Sequence, residues 1–261
     1  MHTIERLALG AILPLYAARG FPYKQRRMTH PILPAVCAAL CALAFAMPLP
    51  AAEAEFHPIF NGRDLAGWDG DARFWSVRDG AIRGETALGT MTVANTFLIW
   101  RGGTLKDFQL KLKVRIRNGN SGVQYRARDL GKWVIAGYQA EIDNTPGKSG
   151  FLYEERGRKY LALIGEQVEI DAAGRPRVTA QLAAKKDLIA QGYYKPREWN
   201  DYLIVAKGNR LKHYINGRQT VDVTDETAVG AKKGVLGLQL HAGNPMTVQF
   251  KDIILKAEKA E

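Results

Sequence analysis

The sequence predicts an all-β protein, a two-sheet sandwich or jelly roll, and three observations carry that expectation. Apolar and polar residues alternate with the two-residue period of a strand. In 107–117, Phe108, Leu110, Leu112, Val114 and Ile116 fall on one side and Gln109, Lys111, Lys113 and Arg115 on the other. Short runs of this kind are separated by turn signals, among them Asp79-Gly80, Lys207-Gly208-Asn209 and Asn216-Gly217. Only one stretch of any length, 178–190, has the Ala, Leu and Lys composition of a helix, and it reads as a surface helix or an inserted loop. Many short strands and few helices suit a sandwich.

The elements follow in order. Residues 32–47 are apolar, preceded by Lys24, Arg26 and Arg27 and followed by Pro48, Pro50 and small residues. That is the layout of a secretory signal peptide, with cleavage near Ala52 or Ala54. The apolar run is short for a membrane span, which needs about 20 residues. Residues 1–27 read as an upstream extension, with translation starting at Met28. The expected organisation is therefore a leader over 1–54 and a single β-sandwich domain over 55–261. The expected location is the bacterial periplasm or the exterior, and membrane contact is confined to the leader. Both cysteines, Cys37 and Cys41, lie in that leader, which leaves the mature chain without a disulfide or a thiol nucleophile. Val36 and Leu40 precede them, not the small residue of a lipoprotein signal.

Within the domain, Phe74–Arg78 and Ala81–Glu85 form a hairpin about Asp79-Gly80, and the long strand over 107–117 follows. Leu203–Val205 pairs with Leu211–Ile215, and His213–Ile215 with Gln219–Val223 across Asn216-Gly217. Thr247–Leu255 closes the domain. The net charge of +11 comes from lysines and arginines scattered along the chain. No arginine-rich run or nucleic-acid motif accompanies it, so it reads as solubility, and nucleic acid is not an expected partner.

Three segments have an unusual polar face: NSGVQYR (120–126), GYQAEID (137–143) and GVLGLQLHAG (234–243). Parity sets Val123, Tyr125, Tyr138, Ala140, Ile142, Leu236, Leu238 and Leu240 against Gln124, Arg126, Gln139, Glu141, Asp143, Gln239 and His241. A merely solvated face would be rich in Lys, Thr and Ser. A face of Gln, Arg, Glu, Asp and His suits a sugar-like ligand. Glu141, Asp143 and His241 are the candidate acids and bases. The two carboxylates share a face roughly 6–7 Å apart, from a rise of ~3.3 Å per residue, close enough for one to raise the other's pKa. Gln124, Gln139 and Gln239 suit hydroxyls. Tyr153, Glu154, Glu155 and Arg156 stand at the rim, and Trp133, beside a glycine-rich loop, is a candidate stacking platform. The histidines lack metal-ligand spacing and no phosphate or dinucleotide loop is present, so no metal or cofactor is expected.

The same segments carry a resemblance. IFNGRDLAGW (59–68), NSGVQYR, GYQAEID, GFLYEE (150–155), EWNDYLI (198–204), HYINGRQT (213–220) and GVLGLQLHAG occur in an order that resembles the 3-keto-disaccharide hydrolases. The resemblance implies the fold of concanavalin A-like lectins and glucanases, export, and action on oxidised glycosides. It implies cleavage of a 3-keto-glycoside in two stages: removal of the C2 proton with loss of the C1 substituent, then hydration. A separate oxidoreductase would make the ketone. Under this reading Glu141, Asp143 and His241 share the proton work, and Arg126 serves the enolate oxygen or neutralises a carboxylate. Relatives often carry Glu where Gln139 stands and Gln where Glu141 stands, so the chain differs from them at both positions. Two alternatives are a lectin-like module without turnover and a retaining glycosidase with two carboxylates about 5–5.5 Å apart. The glucanase pattern Glu-x-Asp-x-x-Glu is incomplete here, because Glu141-Ile142-Asp143 is followed by Asn144-Thr145-Pro146. A third is an envelope domain that uses the sheet for protein contacts.

Overall fold

A computed structural model describes residues 55–257; the leader expected over 1–54 lies outside the described residues. In chain order the elements are β1 (His57–Pro58), β2 (Trp68–Asp69), β3 (Trp75–Arg78), β4 (Ala81–Thr86), β5 (Thr96–Leu105), β6 (Phe108–Arg117), β7 (Asn120–Asp129), β8 (Ile135–Asp143) and β9 (Leu152–Glu155). They continue with β10 (Lys159–Ala162), β11 (Glu166–Ile170), β12 (Pro176–Gln181), α1 (Lys185–Ala190), β13 (Asn200–Lys207), β14 (Arg210–Ile215), β15 (Arg218–Asp225), β16 (Gly234–Leu240) and β17 (Met246–Ala257).

Two sheets form a jelly-roll sandwich. The ten-stranded sheet runs β12-β11-β15-β14-β13-β6-β17-β4-β3, with β1 also on β17. The seven-stranded sheet runs β10-β9-β8-β7-β16-β5-β2. Between them lies the core, where Leu110, Leu112, Val114 and Ile116 of β6 meet Val123, Tyr125, Tyr138, Leu236 and Leu238 of the facing sheet. Strand parity in β6 is as the sequence predicts, with buried and solvent-touched residues alternating. The hairpins also form: Asp79 and Gly80 take φ of 51° and 71°, and Asn216 and Gly217 take 47° and 76°, the positive values a two-residue hairpin turn needs. Asn216 ties its turn to the neighbouring loop, since its Nδ2 donates to Tyr193 O and to Asn200 Oδ1, both at 2.9 Å. The EWNDYLI and HYINGRQT segments are thus structural clasps.

One expectation is corrected. Residues 178–190 do not form one helix: Pro176–Gln181 is the edge strand β12, antiparallel to β11, and only Lys185–Ala190 is helical. β12 carries the β-branched Val178 and Thr179 and closes a hairpin on the preceding strand β11 across residues 171–175, which outweighs the helix propensity of the alanines.

Candidate functional site

The polar face is built by four neighbouring strands. In the β7–β8 ladder Gln124 stands opposite Gln139, Gly122 opposite Glu141 and Asn120 opposite Asp143. β9 brings Tyr153 beside Gln139 and Glu155 beside Gly137. β16 lies on the other side of β7. Residues on the inner face pack the core, so these polar side chains share the outer face.

Here the side chains make a directed relay. Gln124 Nε2 and Gln239 Nε2 both donate to Gln139 Oε1, at 3.1 and 3.0 Å. Gln139 Nε2 donates to Glu141 Oε2 at 2.7 Å, and Asn120 Nδ2 donates to Glu141 Oε1. Gly122 makes the arrangement possible: a Cβ there would lie 2.4 Å from Gln139 Cγ and Cδ. The glutamines and Glu141 are buried, Glu141 being 5% exposed and Gln124 and Gln239 fully enclosed, while Asn120 is half-buried. Two acceptors, Gln124 Oε1 and Gln239 Oε1, have no hydrogen-bond partner. An orphaned buried carbonyl costs about 1–3 kcal/mol, a cost that a ligand hydroxyl donating to it would offset.

Burial pushes the Glu141 carboxyl up to about 7. The donors Asn120 and Gln139 pull it down, while the carboxylates of Asp143 and Glu155 push it further up. No cation offsets the burial within the relay. Such a carboxyl changes protonation near neutral pH, the property of an effective general base.

The other sequence-predicted residues are distributed as follows. Asp143, half-buried, is close enough to influence Glu141, but its Oδ1 accepts from Thr145 N at 2.6 Å and so closes a turn. His241 lies one residue beyond β16, two from the relay member Gln239, with its Nδ1 2.5 Å from Ala242 O. Tyr153 is half-buried, edge-on to Tyr160 with ring centroids 5.2 Å apart. Trp133 donates its Nε1 to Asp69 Oδ1 at 2.7 Å.

Arg126 requires a correction. Strand parity sets it beside Gln124, but β7 carries a bulge there: register shifts against both β8 and β16, and Arg126 takes a φ of 47°. The extra residue turns Arg126 away from the glutamines and returns Ala127 to the outer face, where it packs with Phe97, Ile99 and Ile135. The Arg126 guanidinium, almost wholly buried, donates to Lys106 O, Gly208 O, Ala231 O and Asp107 Oδ1 at 2.8, 2.7, 3.3 and 3.0 Å. It binds loops together and does not reach Glu141's relay. Glycines at 137 and 234 flank the bulge, and a Cβ at either would lie within 2.7 Å of the Arg126–Ala127 backbone.

Two residues of the site, Asn120 and Asn95, escaped sequence reasoning, whereas Glu155 was expected at the rim. Asn120 is the first residue of NSGVQYR, and its place opposite Asp143 follows once β7 and β8 are paired. Glu155 contributes charge beside Glu141. Asn95 bridges β16 and β9: its Oδ1 accepts from Ala242 N at 3.0 Å and its Nδ2 donates to Glu155 Oε1 at 3.5 Å. It lies in a connection with no local pattern to single it out. Among the described residues no group of three or more His, Cys, Asp or Glu is arranged to hold a metal ion.

Comparisons with known proteins agree with this architecture. Residues 55–256 match the family model of the 3-keto-alpha-glucoside-1,2-lyase-like domain. Among solved structures, the chain is similar to a candidate glycosyl hydrolase from Parabacteroides distasonis, at 17% identity and a TM-score of 0.52, covering 78% of this chain and 100% of that one. A second candidate glycosyl hydrolase from the same organism is 18% identical, with a TM-score of 0.50 and coverage of 78% and 94%. A Bacillus subtilis protein of unknown function with a galectin-like fold is 12% identical, with a TM-score of 0.53 and the same coverage. At these identities the likeness is one of fold. No curated protein matches the chain.

Proposed function

The chain belongs to the family of 3-keto-alpha-glucoside-1,2-lyase-like domains, and on that premise we propose that it cleaves 3-keto-glycosides by C2 proton abstraction, elimination and hydration. Family membership supports a carbohydrate-acting role. The finer reading rests on one observation, a buried carboxyl whose pKa lies near 7 beside two unpartnered amide oxygens.

A ketone at C3 acidifies the C2 hydrogen. In this reading Glu141 takes that proton, and the electron pair of the C2–H bond passes into an enolate whose charge sits on the C3 oxygen. The enolate expels the C1 substituent as the C1–O bond breaks, leaving a 2-hydroxy-glycal. Water then adds at C1 and a proton returns to C2, so the net change is hydrolysis. Proton transfer of this kind contributes typically about 10²–10⁴-fold. Asp143 and His241 are assigned the proton work on the leaving oxygen and the incoming water. Gln124, Gln139, Gln239 and Tyr153 hold the sugar. A separate oxidoreductase supplies the ketone, and the protein works after export through its leader. N-terminal sequencing of the processed protein should begin at Glu53 or Glu55; an intact leader on the exported protein would contradict this.

The reaction is tested by incubating the protein with a 3-keto-α-glucoside in deuterated water and examining C2 of the released sugar. Deuterium at C2 is expected. Release without any deuterium at C2 would reject elimination. Saccharide binding without release at any time would favour the lectin-like reading.

A further inference from the structure

We propose that Gln139 is a positioning residue that couples the ionisation of Glu141 to the direction in which the Gln124 and Gln239 amides face the sugar. The inference rests on Glu141 being the base. It addresses a gap left by the displacement of Arg126: the enolate oxygen needs hydrogen-bond donors, and the relay holds no cation.

Donor and acceptor counts set the direction of each amide. With Glu141 ionised, its Oε2 can only accept, so Gln139 must turn its Nε2 toward it. Gln139 Oε1 then faces Gln124 and Gln239 and must receive an N–H from each. Their own oxygens are consequently directed away from the relay, and both are without partners. In this state the unpaired groups of the relay are acceptors, enclosed in the ligand-free protein, and acceptors suit the hydroxyls of an intact sugar.

When the C2–H bond breaks, the proton moves to Glu141 Oε2 and the electron pair enters the enolate. Oε2 has become an O–H donor, and the Gln139 N–H that faced it has lost its acceptor. Rotation of the Gln139 amide by half a turn restores the match. Gln139 Oε1 accepts from Glu141, and its two N–H groups serve Gln124 Oε1 and Gln239 Oε1. Both outer amides then present N–H where each presented oxygen before. Every hydrogen bond between relay members is matched in either state, and the outward groups become donors when negative charge has formed on the substrate. Uptake of the proton at Oε1, on the Asn120 side, would not reverse the relay, so the coupling depends on which oxygen faces C2. The titratable groups around Glu141 are Asp143 on its own strand, Glu155 and Tyr153 on β9, and Tyr202 on β13, whose Oη donates to Glu141 O at 3.2 Å; His241 stands beyond the end of β16, two residues from Gln239.

The test follows the side-chain amide ¹⁵N–¹H resonances of Gln124 and Gln239 in the full processed chain between pH 5 and 9, without substrate. Both amides donate to Gln139 and reach Glu141 through it. The expected result is an inflection of both amides at the midpoint of the Glu141 carboxyl ¹³C resonance, lost in both Gln139→Met and Glu141→Gln. No inflection in the wild-type protein would overturn the proposal before any variant is made. An inflection that survives in Glu141→Gln would assign it to another group, Asp143, Glu155 or His241, and also overturn the proposal, as would one that survives in Gln139→Met. In Gln139→Met the acid limb of kcat/KM should move up by about one pH unit, because a donor to the carboxylate is lost. An unmoved limb would contradict the coupling. Because the resonances need no turnover, failure of the reaction would appear separately, as intact coupling with no cleavage of the keto-glucoside.

Discussion

Glu141 and Asp225 are both buried carboxylates within reach of β8, and their surroundings are opposite. Asp225 receives Tyr138 Oη at 2.5 Å, Arg158 Nη2 at 2.7 Å and Thr227 Oγ1 at 2.6 Å. Burial alone would push its carboxyl up, but the hydrogen bonds from Arg158, Thr227 and Tyr138 outweigh that and hold it at about 2. Arg158 is also bound by Glu154, with Nε to Oε2 at 2.7 Å. Glu141 has amide donors and no cation, and lies near 7. The contrast teaches what separates a structural carboxylate from an available one. A cation ties the first to a single protonation state, whereas neutral donors leave the second able to gain and lose a proton at neutral pH.

The largest expected effect breaks the comparison on the Glu141 side. Glu141→Gln should lower kcat/KM on a 3-keto-α-glucoside by about 10³-fold, within the span of general-base contributions, without loss of folding. On the other side, Asp225→Asn should cost about 3 kcal/mol in urea unfolding at pH 7, because Arg158 keeps its charge and loses a buried partner. Its kcat per folded molecule should not change. If the two substitutions exchanged these effects, the assignment of roles would be wrong.

The pH dependence of stability sharpens the same contrast. The folded pKa of Glu141 is raised, so its contribution is full below the ordinary value of 4.5 and is lost as pH rises through about 7. Between pH 4.5 and 8 the wild-type protein should therefore lose up to about 3 kcal/mol relative to Glu141→Gln. The folded pKa of Asp225 is depressed, so its contribution is present above 3.8 and disappears as pH falls through about 2. Urea titrations of the wild type and each variant across these windows check both signs. A smaller effect is expected from Gly122→Ala, which would drive a Cβ into Gln139. A tenfold to hundredfold fall in kcat/KM should accompany a destabilisation of about 1–3 kcal/mol, the ordinary cost of overpacking.

The architecture was largely legible because it depends on local signals. The alternation in β6 and the Asp-Gly and Asn-Gly turns act over a few residues, and the structure keeps them. The polar face was legible for Gln124, Gln139, Glu141 and Gln239 because strand parity holds along those stretches. It failed at Arg126, where one extra residue reverses every later orientation in β7. The signal for that failure was present in Gly137 and Gly234, but only the paired strands bring those glycines to either side of the bulge. The pairings that Asn120 and Asn95 make are likewise non-local. Residues 178–190, read as a surface helix or an inserted loop, instead begin in a hairpin with the preceding strand β11, and only Lys185–Ala190 is helical.

The central claim, that Glu141 removes the C2 proton, is tested most directly by solvent exchange on a 3-keto-α-glucoside that remains uncleaved. In deuterated water, the wild-type protein should introduce deuterium at C2 of the recovered substrate or of the product, and Glu141→Gln should be slower by about a thousandfold in both exchange and release. Exchange by Glu141→Gln within tenfold of the wild-type rate would contradict the account.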